Sequence, residues 1–274
     1  MRPPLLYVAA LVVPLLGGGC ATTRPPAVTS SSEFEPLAAD PRILYEPGAD
    51  ALAEQVAQLL PQAVRQVEAS HYRPFAQPIT VHVCGSERCF TENVMSKHVS
   101  GATVPDNRVF LSPRLFDREA HRLPMILTHE LSHLHLGQQV GHYTYRVPVW
   151  FHEGLAAYAS SGGGADYATD EEVRAAVSEG HFFAPATLDT PNMRHKAEYW
   201  QLSPYLFYRE AMLFLDHLKQ SGEDRYRDFL LRVQDNENFA LAFSSTYNMS
   251  LDEAGRLFVG SFGLDAAAPA APLE

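Results

Sequence analysis

Apolar residues recur at helical spacing over 49–70, at Leu52, Val56, Leu59, Leu60, Val64 and Val67. That repeat predicts an amphipathic helix, with Pro61 as the point where it would kink. The period then changes to two. Ile79, Val81 and Val83 alternate with Thr80 and His82, as in a strand with one buried face. Two further strands are expected over 99–105 and 108–112, the second around Val109-Phe110-Leu111. Leu123-Pro124 opens the next helix, since proline is tolerated in a first turn. Leu127, Leu131 and Leu134 form its apolar stripe, and Gly137 stands where a helix stop is expected. Pro148 starts another helix, over 149–159, and Ser160-Ser161-Gly162-Gly163-Gly164 ends it. Helical patterns follow at 170–179, 205–220, 223–233, 239–243 and 251–262, with a loop through Pro185 and Pro191. The order predicts an α+β fold: a helix and a small N-terminal sheet, then a helical C-terminal half. No internal repeat stands out.

The ends of the chain read differently. Met1-Arg2 is a minimal positive start, and the apolar run from Leu5 to Leu16 is too short for a span of about 20 residues. It suits the core of a secretory signal over 1–19. The run ends in Leu16-Gly17-Gly18-Gly19-Cys20, which resembles a bacterial lipobox with Gly17 where Leu is more usual. That resemblance implies lipid on Cys20 and attachment to a membrane. Ala21 after it, rather than Asp, favours the outer membrane facing the periplasm, with a soluble periplasmic protein as the alternative. Residues 20–40 read as a flexible tether, 41–264 as one domain and 265–274 as a loose tail. With Cys20 taken by lipid, Cys84 and Cys89 remain, in Cys-Gly-Ser-Glu-Arg-Cys. Export permits a disulfide, and the spacing suits a local staple. The net charge of -11 leaves nucleic-acid binding without an electrostatic basis.

The candidate chemistry lies in His129-Glu130-Leu131-Ser132-His133 and Trp150-Phe151-His152-Glu153-Gly154. On a helix, His129 and His133 stand one turn apart and about 40° around the axis, so both can face one ion. Glu130 is rotated off that direction and can reach a water without occupying a ligand position. A catalytic zinc takes three protein ligands and keeps one position open. Glu153 is the natural third, and the nineteen residues between His133 and Glu153 leave room for a second helix to return past the metal. Cys84, Cys89 and His82 do not complete a second site. His135 lies about 200° from His133 and is expected at the surface. His71, His82, His98, His121, His142, His181 and His217 show no ligand spacing.

These segments resemble the gluzincin metallopeptidases, and most closely the small bacterial peptidase MA-like domains. There the second motif resembles W-x-x-E-G-x-A-x-Y, which stands here as Trp150-Phe151-His152-Glu153-Gly154-Leu155-Ala156-Ala157-Tyr158. The resemblance implies a zincin-like fold and one Zn2+ held by His129, His133 and Glu153. It makes Glu130 the catalytic base and a peptide or protein the substrate. His152 departs from the Asn common in relatives and reads as a helix-surface residue or one backing a ligand. Ala157 departs from thermolysin, where an acidic residue orients a ligand histidine, so that partner must come from elsewhere. The segment from Tyr208 resembles a later helix that begins Y-x-x-A-x-x-F, which makes Tyr208 the donor to the transition state. Tyr205, one turn earlier, and His195 are its competitors. An edge strand near 99–112 would pair with an extended peptide, in a cleft between the sheet and the helical half.

Three functions fit these residues. They are a zinc endopeptidase or aminopeptidase tethered at the envelope, a zinc-binding scaffold or assembly lipoprotein without turnover, and hydrolysis of a non-peptide amide. Glu130 favours turnover, since a structural site needs no base beside an open position.

Overall fold

A computed structural model describes residues 34–94, 98–104, 106–186 and 197–263. The expected signal segment, the lipidation site Cys20, the tether up to 33, His195 and the tail over 265–274 lie outside the described residues.

Helix α1 (Asp50–His71) forms where the apolar repeat predicts it and runs through Pro61 as one helix. It buries Val56, Leu60 and Val67 against a five-stranded sheet. The strands are β1 (Glu35–Leu37), β2 (Asp40–Tyr45), β3 (Val81–Val83), β4 (Gly101–Val104) and β5 (Arg108–Leu111), in the order β1-β2-β3-β5-β4. β2, β3 and β5 are parallel, and β1 and β4 pair antiparallel at the two edges. The first two strands correct the tether reading of 20–40. Residues 35–37 and Asp40 belong to the sheet, and Leu37 is buried. Pro36, Pro41 and the charged residues around them hide strand character. Yet Pro36 lies on edge strand β1, and Pro41 lies near the start of β2, opposite the irregularity in β1 and ahead of the residues paired with β3, where a missing N–H is tolerated.

The staple between Cys84 and Cys89 is present, with 5.6 Å between the Cα atoms. It joins the end of β3 to α2 (Glu87–Val94), a helix that the apolar pattern did not announce. Glu46 accepts from Gly85 N and Ser86 N, both at 2.8 Å, and holds the turn between them.

Helix α3 (Leu123–Val140) follows the sheet and overruns the expected stop. Gly137 lies inside it, and Gly141, at φ 56°, ends it. Packing overrides the glycine, because Gln138 and Val140 are buried beyond it. His135 is also corrected. It faces away from His133's partners as expected, but it is fully buried, because the segment after α1 covers that face of α3. Its Nε2–H donates to Arg73 O at 2.8 Å, and its ring lies 4.3 Å from that of His71. His71 Nε2 is in turn hydrogen-bonded to Ser132 Oγ at 2.8 Å.

The helical half comprises α4 (Val149–Ala159), α5 (Asp170–Ser178), α6 (Pro204–Gln220), α7 (Glu223–Gln234), α8 (Phe239–Tyr247) and α9 (Leu251–Ser261). Thr169, Ser203, Asn238 and Ser250 cap α5, α6, α8 and α9 through side-chain oxygens, which fixes where each begins. Trp150, Phe151, Phe214, Phe229, Phe239 and Phe243 form an aromatic core among these helices. α4 lies directly on α6. A Cβ on Gly154 would stand 2.8 Å from Ala211 O, so only glycine allows that approach. Among the described residues no helix is long and apolar enough to cross a membrane.

Two glycines that look alike in sequence should therefore respond oppositely to alanine. Gly154→Ala forces backbone against backbone and should cost about 1–3 kcal/mol. Gly137→Ala meets nothing closer than Asn107 Oδ1 at 3.5 Å. It should stabilise by about 0.5–1 kcal/mol, because alanine is the better helix former. Urea midpoints measure both, and equal signs would refute the packing described for α4.

Burial holds the His71 imidazole well below its ordinary value, and the neighbouring His135 and His133 add to this. Burial lowers His135 in the same way. In the unfolded chain both titrate near about 6.5. Below that pH the unfolded chain binds protons that the native state refuses, so stability falls with acid. The loss between pH 7.5 and 5.5 should be smaller in His71→Gln than in wild type. Parallel urea-midpoint profiles for the two proteins would contradict this.

Candidate metal centre

His129, Glu130 and His133 sit on α3, which enters the helical half with its polar residues turned inward. α4 returns across it and presents Glu153. His129 Nε2 and His133 Nε2 are 3.1 Å apart. Glu153 Oε2 lies 3.4 Å from the first and 3.3 Å from the second. Around a tetrahedral ion with bonds of about 2.0–2.1 Å, donor atoms stand about 3.3–3.4 Å apart. The triangle therefore already has the dimensions of one face of such a site. His129 and Glu130 are buried, and His133 and Glu153 are partly exposed, so the cluster opens on one side.

The proton positions point the same way. His129 Nδ1 lies 2.8 Å from Gly163 O. A carbonyl only accepts, so Nδ1 carries the proton and Nε2 presents its lone pair to the cluster. That lone pair meets a second imidazole nitrogen and a carboxylate oxygen. One proton satisfies one edge of this triangle, whereas a dication satisfies all three. Burial works to raise Glu153, but positive charge at the triangle, carried by protons on the two imidazoles when no ion is bound, outweighs burial and holds the carboxyl well below the usual carboxylate range. The donor set, two nitrogens and an ionised oxygen, fits zinc.

Glu130 points away from this triangle, toward the sheet. Thr103 Oγ1 on β4 lies 3.0 Å from Glu130 Oε2 and 2.8 Å from Glu130 O, so one hydroxyl proton serves the side chain and the backbone. β4 can come this close because Gly101 has no side chain. A Cβ there would stand 2.8 Å from Glu130 Cγ and from Ile126 Cγ2. Edge strand β4 thus runs beside the candidate base.

The other sequence-predicted residues divide. Tyr208, on α6, lays its ring 6.0 Å from that of His129, nearly parallel at 21°. Burial, the charges of Glu153 and Glu130, and a hydrogen bond to Glu153 all raise its phenol, so it stays protonated and able to donate. Tyr205 is exposed at 39% and packs on Tyr167 instead, with ring centroids 5.0 Å apart. His152 turns from the triangle and donates from Nε2 to Thr144 O at 3.2 Å, its ring 6.3 Å from that of His133.

The structure also supplies the partner that Ala157 lacks, in the Gly163 carbonyl. In sequence the Gly162-Gly163-Gly164 run reads only as a helix terminator. In space its backbone lies against His129. A Cβ on Gly164, at φ +80°, would be 2.9 Å from His129 Cε1 and 3.2 Å from Tyr208 Cδ2. A Cβ on Gly163 would be 2.7 Å from Met125 O. Neither Gly163 nor Gly101 and Thr103 carries a motif, because a carbonyl oxygen and an absent side chain leave no residue-specific signal.

No protein-family model matches the chain. Comparison with curated proteins finds no match either. Among solved structures, the chain is similar to native yeast LTA4 hydrolase, at 15% identity and a TM-score of 0.50, over 88% of this chain. It spans 40% of that protein's length. At this identity the likeness shows a shared fold, a small N-terminal sheet followed by a mostly helical remainder.

Proposed function

We propose that this chain is a gluzincin-type zinc metallopeptidase that hydrolyses peptide bonds at the bacterial cell envelope. One observation carries the reading: two imidazole nitrogens and a carboxylate oxygen converge at tetrahedral spacing, with a second carboxylate on the same helix that is not part of the triangle. The fold shared with a hydrolase supports it. So does the zincin-like order of sheet, α3 and α4.

His129, His133 and Glu153 would hold the ion. Bound zinc supplies Lewis acidity toward a carbonyl and makes water acidic near pH 7. The chain's own residues do the rest. Glu130 accepts a proton from the attacking water and returns it to the leaving amine. Thr103 keeps Glu130 turned so that one carboxylate oxygen is restrained and the other is left for the proton. Tyr208, held protonated, donates to the oxyanion. β4, at the sheet edge beside Glu130, offers unpaired backbone groups to an extended substrate, a mode that reads main chain more than side chain. Lipid on Cys20 would tether the domain to the outer membrane; cleavage without lipid would leave it soluble in the periplasm.

Wild type should bind one Zn2+ per chain, and the ion should raise the melting temperature. Glu153→Ala should abolish that rise at the same zinc concentration. Calorimetric titration and thermal melts read this, and a rise preserved in Glu153→Ala would remove Glu153 from the site. Glu130→Gln should keep zinc and stability and slow cleavage of an unfolded protein by about 10²–10⁴-fold. If wild type and Glu130→Gln are equally inactive across a broad peptide library, the chain is a zinc-binding scaffold.

A further inference from the structure

Arg122 is the residue immediately before α3, and it is 5% exposed. A guanidinium buried this deeply must be paired on several sides, and it is. Nε donates to Asp166 Oδ2 at 2.6 Å and Nη2 to Asp166 Oδ1 at 3.0 Å, a two-pronged fork. Nη1 donates to Glu119 Oε2 at 2.7 Å. The guanidinium carbon also lies 4.7 Å from the ring centroid of Tyr167. Glu119 is held in turn by Ser100 Oγ at 2.5 Å, at the start of the β4 segment.

What this network joins is informative. Asp166 stands three residues after Gly163, in the loop whose carbonyl takes the His129 proton. Arg122 stands seven residues before His129, at the head of the helix that carries it. The loop is tight: Gly162 N donates to Ala157 O at 2.8 Å and Ala165 N to Gly162 O at 3.0 Å. Gly163 lies flush on Met125 O, one turn into α3. The loop is thus tied to the end of α4 on one side and to the head of α3 on the other. Arg209 also reaches the loop, its Nη1 3.7 Å from where a Cβ on Gly162 would stand, but it pairs with Asp170 at the head of α5, whereas the Arg122 fork holds Asp166 in the loop itself. A loop held only by glycines has the widest backbone freedom of any segment, so the fork supplies what the glycines lack.

We propose that the Arg122–Asp166 fork is a positioning device for the metal centre. It clamps the glycine loop so that Gly163 O holds His129 in the Nδ1–H form, with Nε2 free to bind metal. Arg122 and Asp166 touch neither ligand atoms nor substrate; they act through the Gly163 carbonyl. The inference rests on the zinc reading above.

The test uses the full chain with three variants. Arg122→Met keeps the length and apolar stem and removes the fork. Asp166→Asn keeps the shape and removes the charge. Arg42→Met breaks an unrelated ion pair, Arg42 to Asp40 at 2.6 Å, as the control for general destabilisation. Zinc affinity is measured by competition with a chromophoric chelator. The imidazole tautomers of the metal-free proteins are read from long-range 1H–15N NMR correlations, with His133 as the internal reference. Arg122→Met and Asp166→Asn should weaken Zn2+ binding by about 10–100-fold, as loss of an orienting partner does elsewhere. They should mix the His129 tautomers while leaving His133 unchanged, and Arg42→Met should do neither. Folded variants with wild-type zinc affinity and an unmixed Nδ1–H His129 would overturn the clamp and leave the zinc reading intact. A wild type that takes up no Zn2+ would overturn the zinc reading and the clamp with it.

Discussion

Helix α3 is buried along nearly its whole length, yet it carries Thr128, His129, Glu130, Ser132, His133, His135 and Gln138. A buried polar group without a partner costs free energy on the scale of a lost hydrogen bond. Every segment that packs on α3 is therefore constrained to supply one. β4 brings Thr103 to Glu130, the glycine loop brings Gly163 to His129, and α4 brings Glu153 to His129 and His133. The end of α1 brings His71 to Ser132, and the segment after it brings the Arg73 carbonyl to His135. The layout of the domain around α3 follows from satisfying these groups.

The same requirement separates the two faces of the helix by chemistry. On the α1 side the partners are a hydroxyl and a carbonyl, which take Nε2 of His71 and of His135, and no carboxylate joins them. On the α4 side the partners are an imidazole and a carboxylate, their nitrogen and oxygen atoms gathered around one point. On the first face one nitrogen of each imidazole is paired, while Nδ1 of His71 and of His135 are buried without a hydrogen bond. On the second, acceptors outnumber protons, and a cation is the natural complement. Two faces of one helix with similar histidine content thus have different destinies, set by what packs against each.

Glycine works here through what it leaves out. Gly154 lets α4 touch α6 and so carries Glu153 to its place. Gly101 lets β4 approach Glu130. Gly163 and Gly164 let a backbone carbonyl stand against an imidazole. Each is a close approach of backbone to another element, and each would be filled by a single methyl group. The buried Arg122 network sits behind the last of these, where glycine alone gives no rigidity.

Much of this arrangement is legible along the chain. Helical repeats announce α1, α3, α4 and the later helices, because burial of one stripe imposes a local period. The spacing of His129 and His133, with Glu130 between them, is a property of a single helix and needs no tertiary information. The cysteine spacing in Cys84–Cys89 likewise stays within one short segment. Other features were decided only in three dimensions. β1 and β2 exist because an edge of the sheet was there to receive them, despite Pro36 and Pro41. Gly137 continued as helix because the residues beyond it found a core. His135 went inside because a distant segment covered it. The partner of His129 is a main-chain oxygen 34 residues away in sequence. Local periodicity follows from the geometry of one backbone, while a long-range partner depends on which surfaces come together on folding.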